Sequence, residues 1–159
     1  MDKNDVERIL TYYRHIPAEL KHYENMAQAI QEDYNTLASP SLDNMPRGGG
    51  ISDQTGRRAL KIIEEYGENW EREINDEVEK IQKIQIAIFK NLKRLPHSEK
   101  MAVYAHGIDG YKWQEVPNKV DAGNPPSVRQ CIRKYNAALS KLAYMFADDP
   151  DISCYKFPV

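Results

Sequence analysis

Two segments decide how this chain folds: Trp113-Gln114-Glu115-Val116-Pro117-Asn118-Lys119-Val120, and Ser127-Val128-Arg129-Gln130-Cys131-Ile132-Arg133-Lys134 after a six-residue turn. In the first, Trp113, Val116 and Val120 recur at the spacing of one helix face. Asp121-Ala122-Gly123-Asn124-Pro125-Pro126 stops that helix, because Gly and Pro disfavour its continuation and Asn and Asp side chains close turns on their own backbone. Apolar residues then return at Val128, Ile132, Tyr135, Leu139, Leu142 and Phe146, which predicts a second, longer amphipathic helix. Helix, turn and basic helix is the order of a device that lays its second helix in the DNA major groove. An interior proline costs about 3 kcal/mol unless it falls in a first turn, so Pro117 predicts that the first of the two helices is short.

The face of the second helix opposite its apolar stripe carries the candidate contacts. Arg129 and Arg133 suit guanine, Gln130 suits adenine, and Ser127 and Lys134 suit phosphate, with Asn124 in the preceding turn as a further DNA contact. The plainer alternative is a solvated basic face with no ligand. Residues 122–147 contain Arg129, Arg133, Lys134 and Lys141 and no acid, so positive charge is concentrated in this helix although the whole chain has net charge −2. Cys131 falls between the two faces and reads as a small packing residue. Asp148, Asp149 and Asp151 make residues 148–159 an acidic tail that either screens the helix or ends it.

Working toward the N-terminus, Leu95-Pro96-His97-Ser98-Glu99 breaks a helix and caps another, which puts a domain boundary near 96. Met101 to Ala105 make a short apolar helix, and Gly107 and Gly110 bracket a turn. From Ala59 to Leu95 apolar residues recur every three or four positions, predicting one helix of about 40 residues, on the order of 60 Å long. Ahead of it, Val6 to Tyr13 form a first short helix, and Pro17 kinks or divides it from a second with Leu20, Tyr23, Met26, Ile30 and Tyr34 along its stripe. Neither long stripe can be buried alone, so residues 1–96 are expected to form a coiled-coil-like helical hairpin, closed within one chain or between two. The connector at 39–51 includes Met45-Pro46-Arg47-Gly48-Gly49-Gly50, which lacks the Gly-Lys-Ser/Thr ending of a nucleotide loop. Arg47 and Lys112 are candidate contacts to DNA or to a polymerase.

The run from Met101 to Phe146 resembles region 4 of bacterial sigma factors. The residues that carry the likeness are Ile108-Asp109-Gly110, Trp113-Gln114-Glu115-Val116, Ser127-Val128-Arg129 and Ala138-Leu139-Ser140-Lys141-Leu142. With the N-terminal hairpin and the Met45 to Gly50 loop, residues from about 5 to 146 resemble the RinA/ArpU-like transcription regulators of phages infecting Gram-positive bacteria. The resemblance implies an all-α protein with a hairpin at 1–96 for dimerisation or partner binding and a three-helix helix-turn-helix domain at 97–147. It also implies a phage-encoded activator of late genes that binds double-stranded DNA, works with host RNA polymerase in the bacterial cytoplasm, and forms a homodimer. The alternative is a helical interaction module without sequence-specific DNA binding.

The remaining features exclude more than they suggest. No stretch approaches the roughly 20 apolar residues of a membrane span, and Met1-Asp2-Lys3-Asn4-Asp5 is too polar for a secretory signal. Cys131 and Cys154 have no second Cys or His at metal-ligand spacing, and His15, His22, His97 and His106 are unpaired for metal, so no metal or other cofactor is expected. No catalytic residue can be named, because no Ser/His/Asp or paired-carboxylate arrangement is present, and an enzyme is not expected.

Overall fold

The computed structural model describes residues 1–38 and 54–157, with side chains outside 33–60, 62 and 63. The fold is all-α: α1 (Lys3–Ala38), α2 (Gln54–Lys93), α3 (His97–Ala102), a π-helical turn (Val103–Ile108), α4 (Val116–Val120), α5 (Val128–Asp148) and α6 (Pro150–Ser153). No strand occurs among the described residues. None of their helices is long and apolar enough to cross a membrane.

The boundary expected near 96 is where α2 ends, but it does not separate the compact units. The larger unit combines Met1–Pro17 with Ile81–Val159, and the smaller is Ala18–Lys80. The reason lies in the apolar stripes of the long helices. In the larger unit Val6, Ile9, Leu10 and Ile16 of α1 and Ile81, Ile84, Ile88 and Leu92 of α2 are buried, as are Leu139, Leu142 and Phe146 of α5. A 97–147 domain without the long-helix ends would leave part of that apolar core exposed. In the smaller unit Leu20, Tyr23, Met26 and Ile30 are only half-buried, and Tyr66 and Trp70 are exposed.

α1 is continuous through Pro17 rather than divided there. Pro17 removes one backbone donor, yet the preceding Ile16 and, more than a turn earlier, Tyr12 are buried, and that burial offsets the cost. The residues from 148 onward are also more than an acidic tail. Ile152 is buried, the Tyr12 and Tyr155 hydroxyls lie 2.9 Å apart, and Phe157 packs edge-on against Tyr12. Asp149 caps α6 at the Asp151 N–H and accepts from Asn91 Nδ2 at 2.8 Å, so this acid is tied into the fold.

Between α3 and α4 the backbone leaves the α-helical period. The Asp109 N–H donates to the Tyr104 carbonyl five residues back, at 2.8 Å, and Gly107 is inside this wide turn rather than bracketing a loop. A Cβ on Gly107 would lie 3.2 Å from Leu10 Cδ1 and 3.3 Å from Tyr135 Cε2, so the missing side chain is what lets α1 approach α5 here. Gly110 has φ +75°, a conformation that residues with a side chain rarely adopt; a Cβ there would meet only the movable tip of Arg14, so the backbone is what calls for glycine.

Candidate nucleic-acid interface

The motif helices α3, α4 and α5 all belong to the larger unit, where α4 and α3 each pack on α5. α4 begins at Val116, three residues later than the apolar spacing from Trp113 suggested, and Pro117 falls in its first turn. A first-turn proline has no intrahelical donor to lose, so Pro117 shortens the helix without straining it. Residues 113–115 form a turn in which the Lys112 N–H donates to Glu115 Oε2 at 3.0 Å.

An aromatic cluster sets α4 and its leading turn against α5. The His106 ring stacks on Trp113 with centroids 3.8 Å apart, and both meet Tyr135 edge-on. His106 Nδ1 lies 2.9 Å from the Tyr111 carbonyl oxygen, consistent with donation from the ring N–H. Beneath it, Ala105, Val116 and Cys131 form a buried core on which Tyr111, Trp113 and Val120 pack. Desolvation pushes the Cys131 thiol above its usual pKa, with Lys134 opposing in part, so this cysteine is a packing residue as its position between the two faces suggested. Burial likewise raises the Tyr135 hydroxyl, reinforced by Glu7, whose Oε1 accepts from it at 3.3 Å.

The turn before α5 is held by Asp121, whose Oδ1 accepts from the Gly123 and Asn124 N–H groups at 3.0 and 3.1 Å. Ser127 then caps the helix: its Oγ accepts from the Gln130 N–H at 3.2 Å, and Gln130 Oε1 accepts from the Ser127 N–H at 3.0 Å. This reciprocal box satisfies two amides that the first turn would leave unpaired. Ser127→Ala is expected to lower stability by about 1 kcal/mol in chemical denaturation, with the helix start as the first region to lose amide protection.

The box changes the roles of two expected contacts. Ser127 Oγ and Gln130 Oε1 are occupied by backbone, so the part of Gln130 left to read a base is its amide donor. Arg129, Arg133 and Asn124 are exposed and Lys134 is half-buried, and the three cations have no acidic partner within 4.0 Å among the described residues. Lys141, by contrast, is paired with Glu99 at 2.7 Å and joins α5 to α3. Lys112 is exposed, and Arg47 lies outside the described residues.

His97, Ser98, Asn124, Gln130 and Lys134 line an open groove of about 770 Å³ beside the start of α5. The sequence placed His97 and Ser98 only in a capping segment, which gives no sign of lying next to residues more than 25 positions later. The acids Asp148, Asp149 and Asp151 are at the far end of α5, whose 21 residues span on the order of 30 Å. That exceeds the roughly 10 Å screening length at 0.1 M salt, so they end the helix rather than mask its start. Among the described residues no group of three His, Cys, Asp or Glu side chains is placed to hold a metal ion. Comparison with family models, curated proteins and solved structures found no match.

Proposed function

We propose that this protein is a phage-encoded DNA-binding transcriptional regulator, an activator of late genes, that reads the major groove with the exposed first turns of α5. The observation that carries the reading is the set Arg129, Arg133 and Lys134, presented with no acidic partner among the described residues at the capped start of a helix that follows α4 and a tight turn. Charge supports it: residues 1–17 and 81–159, the larger unit, contain fifteen basic and ten acidic side chains. Arg129 and Arg133 read bases, Lys134 and Asn124 hold phosphate, and the Gln130 amide donates to a base edge. Selection from a random duplex pool, followed by gel shifts over a salt series, tests the reading. A recovered consensus with salt-dependent affinity supports it, and equal binding to all duplexes removes it.

One recognition helix with three or four cationic contacts gives modest affinity, so two copies on paired half-sites are part of the proposal. The consensus should then be a palindrome or a direct repeat, and light scattering should give a mass of two chains at binding concentrations. Contact with host RNA polymerase would convert such binding into activation. A second reading, a helical interaction module without DNA recognition, draws on the exposed Tyr66 and Trp70 of the smaller unit. It predicts partner capture that survives loss of Arg129 and Arg133.

A further inference from the structure

Within the smaller unit, Ala27 and Ile30 of α1 and Gly67 of α2 line an open groove of about 560 Å³, with Glu64, Glu68 and Glu71 of α2 on its wall. That volume is within the roughly 300–1,000 Å³ range of ligand clefts. Gly67 is hard to account for from the chain's own packing. It is inside a continuous helix, where glycine costs about 1 kcal/mol relative to alanine, and a Cβ there would meet nothing within 4 Å. Its φ is not positive, so no backbone strain requires it. Glu64, Glu68 and Glu71 follow an i, i+4, i+7 spacing, which places the three carboxylates along one face of α2 beside the groove. A glycine that the chain's own packing does not require and three carboxylates on one helix face meet at one groove, which is thereby open and acidic.

We propose that this groove docks a cationic amphipathic helix of a protein partner. Apolar side chains from one face of the helix would enter over Ala27, Ile30 and Gly67, and flanking Lys or Arg would meet Glu64, Glu68 and Glu71. Charge selects this occupant over a second copy of the same unit. Residues 18–80 carry fourteen acidic and seven basic side chains, so two such surfaces brought face to face repel. The proposal is independent of the DNA reading, because it uses the other unit.

The test uses the full-length chain and a fluorescein-labelled helical peptide of Leu and Lys, with Leu at i, i+3, i+4 and i+7. Fluorescence anisotropy should show saturable binding, weakened at least tenfold both by Gly67→Leu, which fills the groove, and by Glu64→Lys with Glu68→Lys and Glu71→Lys. Gly67→Leu removes a helix-interior glycine, so its melting temperature should not fall and unfolding cannot explain lost binding. A Leu and Glu peptide should not bind, and Arg129→Ala with Arg133→Ala should leave Leu and Lys peptide binding unchanged. Undiminished binding by Gly67→Leu would mean a diffuse charge attraction and overturns the proposal. A full-length dimer that Gly67→Leu converts to monomer would make the occupant a second copy and overturns it equally.

Discussion

Arg129→Ala with Arg133→Ala is expected to lower affinity for the selected duplex by at least about 30-fold, since a good bidentate base contact contributes roughly 1–3 kcal/mol of discrimination. Both side chains are exposed on the second and sixth positions of α5, and neither is in an ion pair among the described residues that its loss would disrupt. Stability should therefore stay within about 0.5 kcal/mol of the parent, as for surface substitutions generally. Selectivity should fall together with affinity. Lys134→Ala, which removes a phosphate contact, should weaken all duplexes about equally and reduce the salt slope by about one. Gel shifts at two or more salt concentrations separate these cases. If the double variant binds the selected duplex as the parent does, α5 is not the reading helix.

Ending the chain after Asp148 is expected to destabilise the larger unit by about 4 kcal/mol or more, because removing a buried Ile side chain alone typically costs about 2–5 kcal/mol. The cut removes Ile152, which is 1% exposed, and the Tyr155 and Phe157 rings that pack on Tyr12. It also takes Asp149 from Asn91, a polar side chain that is only 3% exposed and whose Nδ2 would keep just its bond to the Ala87 carbonyl. A loss of that size should lower the melting temperature by on the order of 15 °C, measured by circular dichroism. Asp148→Asn with Asp151→Asn removes two of the charges and no apolar contact, so it should leave the melting temperature nearly unchanged. A truncated chain as stable as the parent would mean that residues 149–157 contribute charge alone.

The positive charge of the larger unit shows why part of the site was illegible in sequence. Counted over 51–96 the chain has nine acids and nine bases, which reads as neutral. All nine acids lie at or before Glu79, whereas 81–96 contains Lys83, Lys90, Lys93 and Arg94 and no acid. The fold assigns these two stretches to different units, and only then does the separation of charge become visible. Gly107 and His106 were similarly opaque. A π-helical turn follows neither the 3.6 nor the 2.0 period, so its inward residues carry no sequence signal, and the contact of Gly107 with Leu10 spans nearly a hundred positions.

Local chemistry was enough to determine the helices themselves. The apolar spacing of 59–95 and 128–146 marked α2 and α5 to within a few residues, and Pro117 and the Asp121 to Pro126 turn predicted a short α4 and a fresh helix start. Exposure of Arg129 and Arg133 followed from the same periodicity. Tertiary structure alone decided which ends of α1 and α2 join the motif helices, that residues after 148 close the core, and that Ser127 and Gln130 cap the helix as well as facing solvent. The division has a physical cause. Helix propensity and amphipathic period act over a few turns, whereas burial depends on contacts between residues far apart in the chain, such as Tyr12 with Tyr155 and Glu7 with Tyr135.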